Sequence, residues 1–202
     1  MPEVIRYLMA PLLLAAAACQ AVDYPSFWPP VSDGKPGAAC PDLDGAYKNT
    51  GDLMLGENDS KSMSSSHLGM ELLSFGKLMS EGIDPKWADQ VVLQMTRRSD
   101  LEVSLLEKGK LIYRTVLKKG ESFSCTPKYL RMDLSSSGSS HIRVATRFAH
   151  NEIGKASDGS LIIRYEAKEY GLFAFLLPYR ESRLWWYRFE PAPAPTDIPS
   201  SR

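Results

Sequence analysis

The sequence predicts an α+β fold that is mainly β: an antiparallel sheet, open or curled into a partial barrel, with one packed amphipathic helix. Apolar and polar residues alternate over several short segments after residue 90, which is the period of a half-buried strand. Only one segment repeats its apolar residues at helical spacing. The connections between segments are short, which favours antiparallel pairing because parallel strands need long crossovers.

One helix is predicted before the strands. Its apolar residues stand at offsets 0, 4, 7 and 11, on one face of a 3.6-residue period: Leu68, Leu72, Phe75 and Met79. The serines at 64–66 are typical N-cap residues, and Gly82 before an Asp-Pro pair is a typical stop signal. Gly69 and Gly76 each cost about 1 kcal/mol relative to alanine, so we expect the helix to need the sheet on which it packs.

Strands are predicted wherever the period changes to two. Val91, Leu93 and Met95 form one such alternation, and Lys108-Gly109 between two alternating segments is typical of a tight hairpin turn. The predicted strands are 91–96, 101–106, 111–117, 122–125, 129–134, 142–148, 161–167, 172–177 and 184–189.

Composition and charge exclude several classes of protein. The chain has 202 residues, of which 44% are hydrophobic and 24% charged, as in an average globular domain, so a collagen-like or wholly disordered chain is excluded. Lys and Arg together number 24, equal to Asp and Glu, so no basic face is required and we expect no nucleic-acid partner. No apolar run reaches about 18 residues, the length of a spanning helix.

The first residues predict export. Residues 7–18 are all apolar or small, follow Arg6 and end in four alanines before Cys19. As a helix this segment would rise only about 18 Å, against about 30 Å of bilayer hydrocarbon, so it is typical of a secretion signal and too short for an anchor. Ordinary secretion with cleavage at the alanines, and a buried structural segment, are the alternatives.

The residues Ala16-Ala17-Ala18-Cys19 resemble the lipobox of bacterial lipoproteins. The resemblance implies cleavage before Cys19, lipid attachment at Cys19 and acylation of its amine, which together would anchor the chain stably. By the sorting rule of that family, Gln20 implies an outer-membrane address on the periplasmic side; a secreted or soluble periplasmic protein is the alternative.

Residues 40–47, Cys-Pro-Asp-Leu-Asp-Gly-Ala-Tyr, resemble the C-P-D-L-x-G-x-Y start of small uncharacterised envelope lipoproteins of Gram-negative bacteria. The resemblance extends more loosely to the turn at 158–161 and the segment 186–189, and it implies no known activity.

Cysteine usage supports the same compartment. The chain has three cysteines, and if Cys19 carries lipid, Cys40 and Cys125 remain as a pair for the oxidising periplasm. We therefore predict a Cys40–Cys125 disulfide, with two separately buried thiols as the alternative. No C-x-x-C motif is present to support redox or zinc-ribbon chemistry.

Composition also suggests the boundaries within the chain. We predict a signal peptide over 1–18, a Pro-rich tether over 19–39, one β domain with a helix over 40–190, and a disordered Pro-rich tail over 191–202. The segment 24–28, Tyr-Pro-Ser-Phe-Trp, is aromatic enough to dock on the domain or at a membrane interface, although a loosely packed linker is the simpler interpretation.

A search for catalytic and metal motifs finds no complete one. Ser74-x-x-Lys77 matches S-x-x-K, but the S-D-N and K-T-G elements that should accompany it are missing. His141 and His150 stand nine residues apart, which places them on opposite faces of a continuous strand and makes no ready metal site. We therefore predict no catalytic residue, no metal and no cofactor.

Aromatic residues crowd the last strands and are the only feature that motivates a binding hypothesis. Adjacent Trp185 and Trp186 must face opposite sides of a strand, so one of them points away from the core that the other fills. The candidate binding patch is Trp185, Trp186, Tyr187 and Phe173.

Three functions remain open from the sequence. The first is a non-catalytic accessory or protein-interaction module of the envelope, held at the membrane by its lipid and meeting an envelope protein partner. The second is a carrier or sensor of an apolar or glycan ligand in a half-barrel, and the third is a hydrolase with no recognisable motif.

Overall fold

Two antiparallel β-sheets and a small amount of helix make up the fold. The computed structural model describes residues 23–54, 66–73, 75–96, 98–134, 136–140, 143–173 and 176–195. Far more of these residues lie in strands than in helices, and neither sheet closes into a barrel. The predicted mainly-β, antiparallel α+β fold is confirmed, but the single sheet of the prediction is replaced by two.

The smaller sheet has four strands in the order β1-β4-β5-β6. Their bounds are β1 Gly45–Lys48, β4 Gln90–Met95, β5 Leu101–Glu107 and β6 Lys110–Leu117. The hairpin between β5 and β6 is confirmed: Lys108 and Gly109 have φ of 52° and 77°, the left-handed pair that a two-residue hairpin turn requires. β6 is the last strand in this order and therefore an edge of the sheet.

The larger sheet has the order β3-β2-β12-β11-β10-β8-β7, with β9 also paired to β10. Its bounds are β2 Thr50–Met54, β3 Ser66–His67, β7 Ser124–Cys125, β8 Leu130–Asp133, β9 Ser136–Ser140, β10 Arg143–Lys155, β11 Leu161–Phe173 and β12 Leu177–Phe189. Three consecutive strands of 13 residues, β10 to β12, form its centre.

The prediction of separate strands at 172–177 and 184–189 was wrong. Phe173 pairs with Leu177 across a hairpin, so the first of these segments spans the turn and the second is the end of β12. The turn was missed because residues 174–176 contain none of the Gly, Pro, Asn or Asp residues that mark most turns.

The predicted single helix is two short helices, α1 Leu68–Leu72 and α2 Phe75–Ser80. Leu73 breaks the helix with extended dihedrals, φ −120° and ψ 145°, and its side chain is buried. The helix is interrupted where Leu73 packs into the core, so the predicted continuous apolar face does not form. Met79, predicted to lie on that face, is 47% exposed. The stop at Gly82 is confirmed, since this residue has a φ of 75°.

The two sheets share one hydrophobic core. From the smaller sheet, Leu93 and Val103 are buried on neighbouring strands, and from the larger sheet Ile153 and Ile163 are buried as a cross-strand pair. α1 contributes Leu68 to the same core. Alternate residues of each strand thus face inwards, as in a two-layer sheet packing.

Asn49 joins β1 and β2 to the helical segment from a fully buried position. Its side-chain Nδ2 donates hydrogen bonds to the carbonyl oxygens of Pro85 and Ala88, at 2.8 and 2.9 Å. Its Oδ1 accepts a hydrogen bond from the backbone N–H of Gly69 at 2.9 Å. One side chain therefore satisfies three buried backbone groups of α1 and of the 3-10 turn Pro85–Trp87.

The predicted tether over 19–39 needs correction, because its described part packs on the domain. Tyr24 and Trp28 lie on the outer face of the larger sheet, where the Tyr24 and Trp186 rings are 5.0 Å apart at their centroids. The backbone N–H of Ser32 donates to the carbonyl of Lys155 at 2.9 Å. Burial of aromatic surface thus attaches this segment, and the docked alternative for residues 24–28 is the one observed.

The predicted tail over 191–202 also begins attached to the domain. Pro191 forms an isolated bridge with Tyr47, and the backbone N–H of Ala192 donates to the carbonyl of Ala46 at 2.8 Å. These bonds cover the outer edge of β1, an edge that would otherwise expose unpaired backbone groups. Residues 196–202 lie outside the described part of the chain.

Candidate functional site

A groove of about 370 Å³ lies where the edges of the two sheets and the helices meet. One wall is the inner face of β6, from which Tyr113, Thr115 and Leu117 point towards the core side. Met132 of β8 lines the opposite wall, and Leu73 lies between the walls. The groove is mostly apolar, and no other described strand pairs with the outer edge of β6 beside it.

Alternate side chains of β6 point to the same face of the sheet, and this explains why three of them line the groove. Tyr113, Thr115 and Leu117 pair in register with Leu105, Val103 and Leu101, all of which are buried. These β6 residues therefore share the inward face of the smaller sheet, but no strand of the described residues lies beyond them to complete their burial.

One charged side chain, that of Glu71, lies at the end of the groove near α1. The Glu71 carboxylate, which lines the groove, accepts a hydrogen bond from the Ser66 hydroxyl at 2.7 Å. Burial raises the pKa of the Glu71 carboxyl, while hydrogen bonds from Ser66 and Asn151 oppose that shift. A carboxyl with a raised pKa carries its proton over a wider pH range, so it can donate as well as accept a hydrogen bond.

Asn151 lies beside Glu71 on β10 and is fully buried. Its Nδ2 donates to the carbonyl oxygen of Glu71 at 3.0 Å, whereas its Oδ1 has no hydrogen-bond partner within the described structure. Buried acceptors of this kind are usually paired, but Asn151 is fully enclosed beside Glu71 and does not line the groove. The polar end of the groove thus offers the Glu71 carboxyl to an N–H donor of a bound molecule.

Cys40 and Cys125 form a disulfide, with their Cα atoms 4.9 Å apart. Cys40 precedes β1 of the smaller sheet, and Cys125 ends β7 of the larger one, so the bond ties the two sheets together. Cys19, the predicted site of lipid attachment, lies outside the described part of the chain.

The predicted aromatic patch does not form one surface. Trp186 and Tyr187 are buried, on opposite faces of the larger sheet. Trp185 stacks on Tyr165, with ring centroids 5.1 Å apart, while Phe173 is 49% exposed at the far end of β11. The patch fails because Tyr24 and Trp28, far away in sequence, cover the outward tryptophan.

The other residues weighed for chemistry do not converge on the groove. Ser74 and His141 lie outside the described residues. His150 faces outwards between Glu152 and Glu166, 4.0 and 3.9 Å from their carboxylate oxygens, and burial together with the Arg131 charge lowers the pKa of its imidazole. Within the described residues, no group of three or more His, Cys, Asp or Glu side chains could hold a metal ion.

Asp158 supports a turn, as expected from the sequence. Its carboxylate accepts hydrogen bonds from the Ser160 backbone N–H at 3.0 Å and from the Ser160 hydroxyl at 2.8 Å, and Gly159 between them has a φ of 85°. Asp44 likewise accepts from the backbone N–H of Met95 at 2.6 Å, so this carboxylate holds the chain near β4.

The sequence alone does not indicate the groove, because its walls come from segments that are far apart in the chain. Only its polar end carried a signal that could have been followed: Glu71 interrupts an otherwise apolar helical stretch, and Asn151 interrupts an alternating strand at an inward position. Neither residue identifies its neighbour across the fold, because their sequence separation is 80 residues.

Comparison with protein-family models, with curated proteins and with solved structures gives no match. Among the helices of the described residues, none has the length and apolar character needed to cross a bilayer. The function must therefore be inferred from the groove, the edge strand beside it and the sequence of the first residues.

Proposed function

We propose that this chain is a non-enzymatic accessory lipoprotein of the Gram-negative envelope, anchored through Cys19 to the periplasmic side of the outer membrane, whose groove binds an extended segment of an envelope protein. The observation that carries the proposal is the edge strand β6 beside an apolar groove with a carboxyl group at one end.

Strand addition is the binding mode that fits this geometry. An edge strand presents a row of backbone N–H and C=O groups, to which an extended peptide can hydrogen-bond as one more strand. Alternate side chains of such a peptide would enter the groove between Tyr113 of β6 and Met132 of β8. The eight residues of β6 are long enough to pair with a short segment of this kind.

The chemistry of the polar end supports binding rather than turnover. The Glu71 carboxyl can accept a hydrogen bond from a peptide N–H, or donate one to a peptide carbonyl when it is protonated. The Ser66 hydroxyl donates a hydrogen bond to this carboxylate, so the Glu71 side chain is already oriented for a ligand.

A crosslinking experiment in cells tests the partner site. We expect a photoreactive amino acid at Thr115, which faces the groove, to give one discrete protein adduct in the envelope fraction. The matched control is the same amino acid at Gln94, an exposed position that pairs with Glu102 on the opposite face of the smaller sheet. Adducts of equal yield from both positions, or none from Thr115, would count against the proposal.

The same experiment separates the second candidate function, a carrier of an apolar ligand. The apolar lining of the groove, including Leu72, Leu73 and Leu78, is the observation that favours it. A carrier would give an adduct at Thr115 whose added mass is that of a small lipid or glycan, whereas a partner protein adds many kilodaltons.

The anchor is tested by the intact mass of the protein extracted from membranes. We expect a chain that begins at Cys19 and carries added acyl mass, and a Cys19→Ala variant that lacks this mass and leaves the membrane fraction. A chain that is cut near Ala18 without acyl mass would indicate ordinary secretion, and one that begins at Met1 would contradict export.

A further inference from the structure

The central strands of the larger sheet continue beyond the core as an arm. The arm, as the term is used below, consists of the outer parts of β10, β11 and β12 together with β9. These outer parts are residues 143–150, 166–173 and 177–184. β11 has buried alternate residues up to Ala167 and is mostly exposed from Lys168 onwards, which marks where it leaves the core. In the part of the chain that the structure describes, β2 pairs with β12 only from residue 186 to 188, outside the arm.

The tip of the arm is apolar and exposed. Its end row pairs Phe173 with Leu177, and the next row pairs Val144 with Leu172. Leu176 in the turn is 81% exposed, Leu177 63% and Phe173 49%. Large apolar side chains gathered at one exposed place indicate a contact surface.

The apolar side chains of the tip point to both faces of the arm. Phe173 and Leu177 share one face because they are register partners, and Val144 and Leu172, one residue along their strands, share the other. A protein partner packed on the sheet would cover one face and leave the other in water. An apolar medium that surrounds the tip accommodates both faces.

Charged and aromatic residues are sorted by distance from the tip. In the first four rows of β10 to β12 the charged residues are two cations, Arg143 in the end row and Arg180 in the fourth. The fifth row contains Arg147, Glu169 and Glu181. Tyr179 and Tyr170 occupy the third and fourth rows, and the Arg180 guanidinium carbon is 5.5 Å from the Tyr170 ring centroid. Tyr170, Tyr179 and Arg180 behind the end rows, whose one charged residue is the cation Arg143, match the interface of an anionic bilayer.

We propose that the tip of the arm inserts into the surface of an anionic lipid bilayer. At about 3.3 Å per residue, the turn and the first two rows would extend about 7–10 Å, close to the depth that interfacial segments occupy. The tyrosine rows then lie at the headgroups, and Arg180 meets lipid phosphate. Backbone groups of β11 in the tip are paired on both sides, by β10 and β12.

The inference does not need the acyl anchor of the proposed function, but the two fit one membrane. Tyr24 contacts Trp186, nine residues along β12 from Leu177, or about 30 Å from the tip. Position 19 and Tyr24 are five residue steps apart, which span at most about 18 Å. The strands can therefore lie inclined to the membrane plane, with the tip and the anchor in the same bilayer.

A site-specific fluorophore tests the insertion. The full chain carries Cys19→Ala in every sample, so no acyl group contributes, and an environment-sensitive dye is attached at Leu176→Cys while the Cys40–Cys125 disulfide stays oxidised. The matched control carries the dye at Val116→Cys, an exposed apolar position of β6. With vesicles of phosphatidylethanolamine and phosphatidylglycerol, we expect a blue shift at position 176 and little or none at 116.

Charge substitutions give the second measurement. We expect Leu176→Glu with Leu177→Glu to weaken vesicle partitioning about tenfold or more, and Leu111→Glu with Val116→Glu on β6 to change it less than about twofold. Neutral phosphatidylcholine vesicles should bind several-fold more weakly than anionic ones. Because residues 7–18 are apolar themselves, the comparison is always between variants of the same full-length chain.

Three outcomes overturn the proposal: the same dye response at 176 and 116, no response at 176, or equal partitioning of the two double variants. Concentration-dependent self-association that only the tip variant abolishes, without vesicle binding, would instead assign the tip to a second copy of the chain. None of these results bears on the anchor, which the mass of the membrane-extracted protein tests separately.

Discussion

Replacing both Cys40 and Cys125 with serine is expected to lower the free energy of unfolding by about 4–5 kcal/mol. The two cysteines are 85 residues apart in the sequence, and closing a loop of that length strongly restricts the unfolded chain. In the folded chain the bond joins the segment before β1 to β7, the end strand of the larger sheet. Small domains are stable by only about 5–15 kcal/mol, so the double variant should be close to unfolding.

Urea unfolding of the wild-type chain, with and without reductant, is the appropriate measurement. Reductant should destabilise the wild type to the level of the double serine variant and should leave that variant unchanged. A loss below about 1 kcal/mol would show that the two sheets hold their arrangement without this bond.

The Asn49→Ala variant is expected to lose about 3–5 kcal/mol of stability. The substitution removes three hydrogen bonds and leaves the buried N–H of Gly69 and the carbonyls of Pro85 and Ala88 without their side-chain partner. Each lost bond contributes about 1 kcal/mol, and each unsatisfied buried group adds a desolvation cost. Because Asn49 ties α1 to the 3-10 turn, the region of the groove should loosen first.

The matched control is Asn151→Ala, a second fully buried asparagine. Its side chain makes one hydrogen bond, to the Glu71 carbonyl, and its Oδ1 is already unpaired, so its loss should cost less than half as much. Thermal and urea unfolding of both variants provide the comparison. Equal losses from the two substitutions would refute the role assigned to Asn49.

The sequence predicts correctly those features of the structure that depend only on adjacent residues. The β5–β6 hairpin is one case, since a turn with two left-handed residues is specified by Lys108 and Gly109 themselves. The stop at Gly82 is another. The break at Leu73 was not visible in this way, because the side chain leaves the helical pattern to reach a core built by distant strands.

The tryptophan pair shows where local reasoning ends. That Trp185 and Trp186 face opposite sides follows from strand geometry alone. Whether the outward one is exposed depends on Tyr24 and Trp28, which are more than 150 residues away in the sequence and pack over Trp186. Trp186 is therefore buried, whereas Phe173 is exposed because β11 extends beyond the core.

The sequence by itself determined the mainly-β, antiparallel class, because alternation and turn chemistry are properties of adjacent residues. It also suggested the pairing of Cys40 with Cys125. Only the tertiary structure decided that there are two sheets, that β6 is an edge beside a groove, and that three long strands carry an apolar tip. These features arise from which strands become neighbours, and that choice depends on packing between segments far apart in the chain.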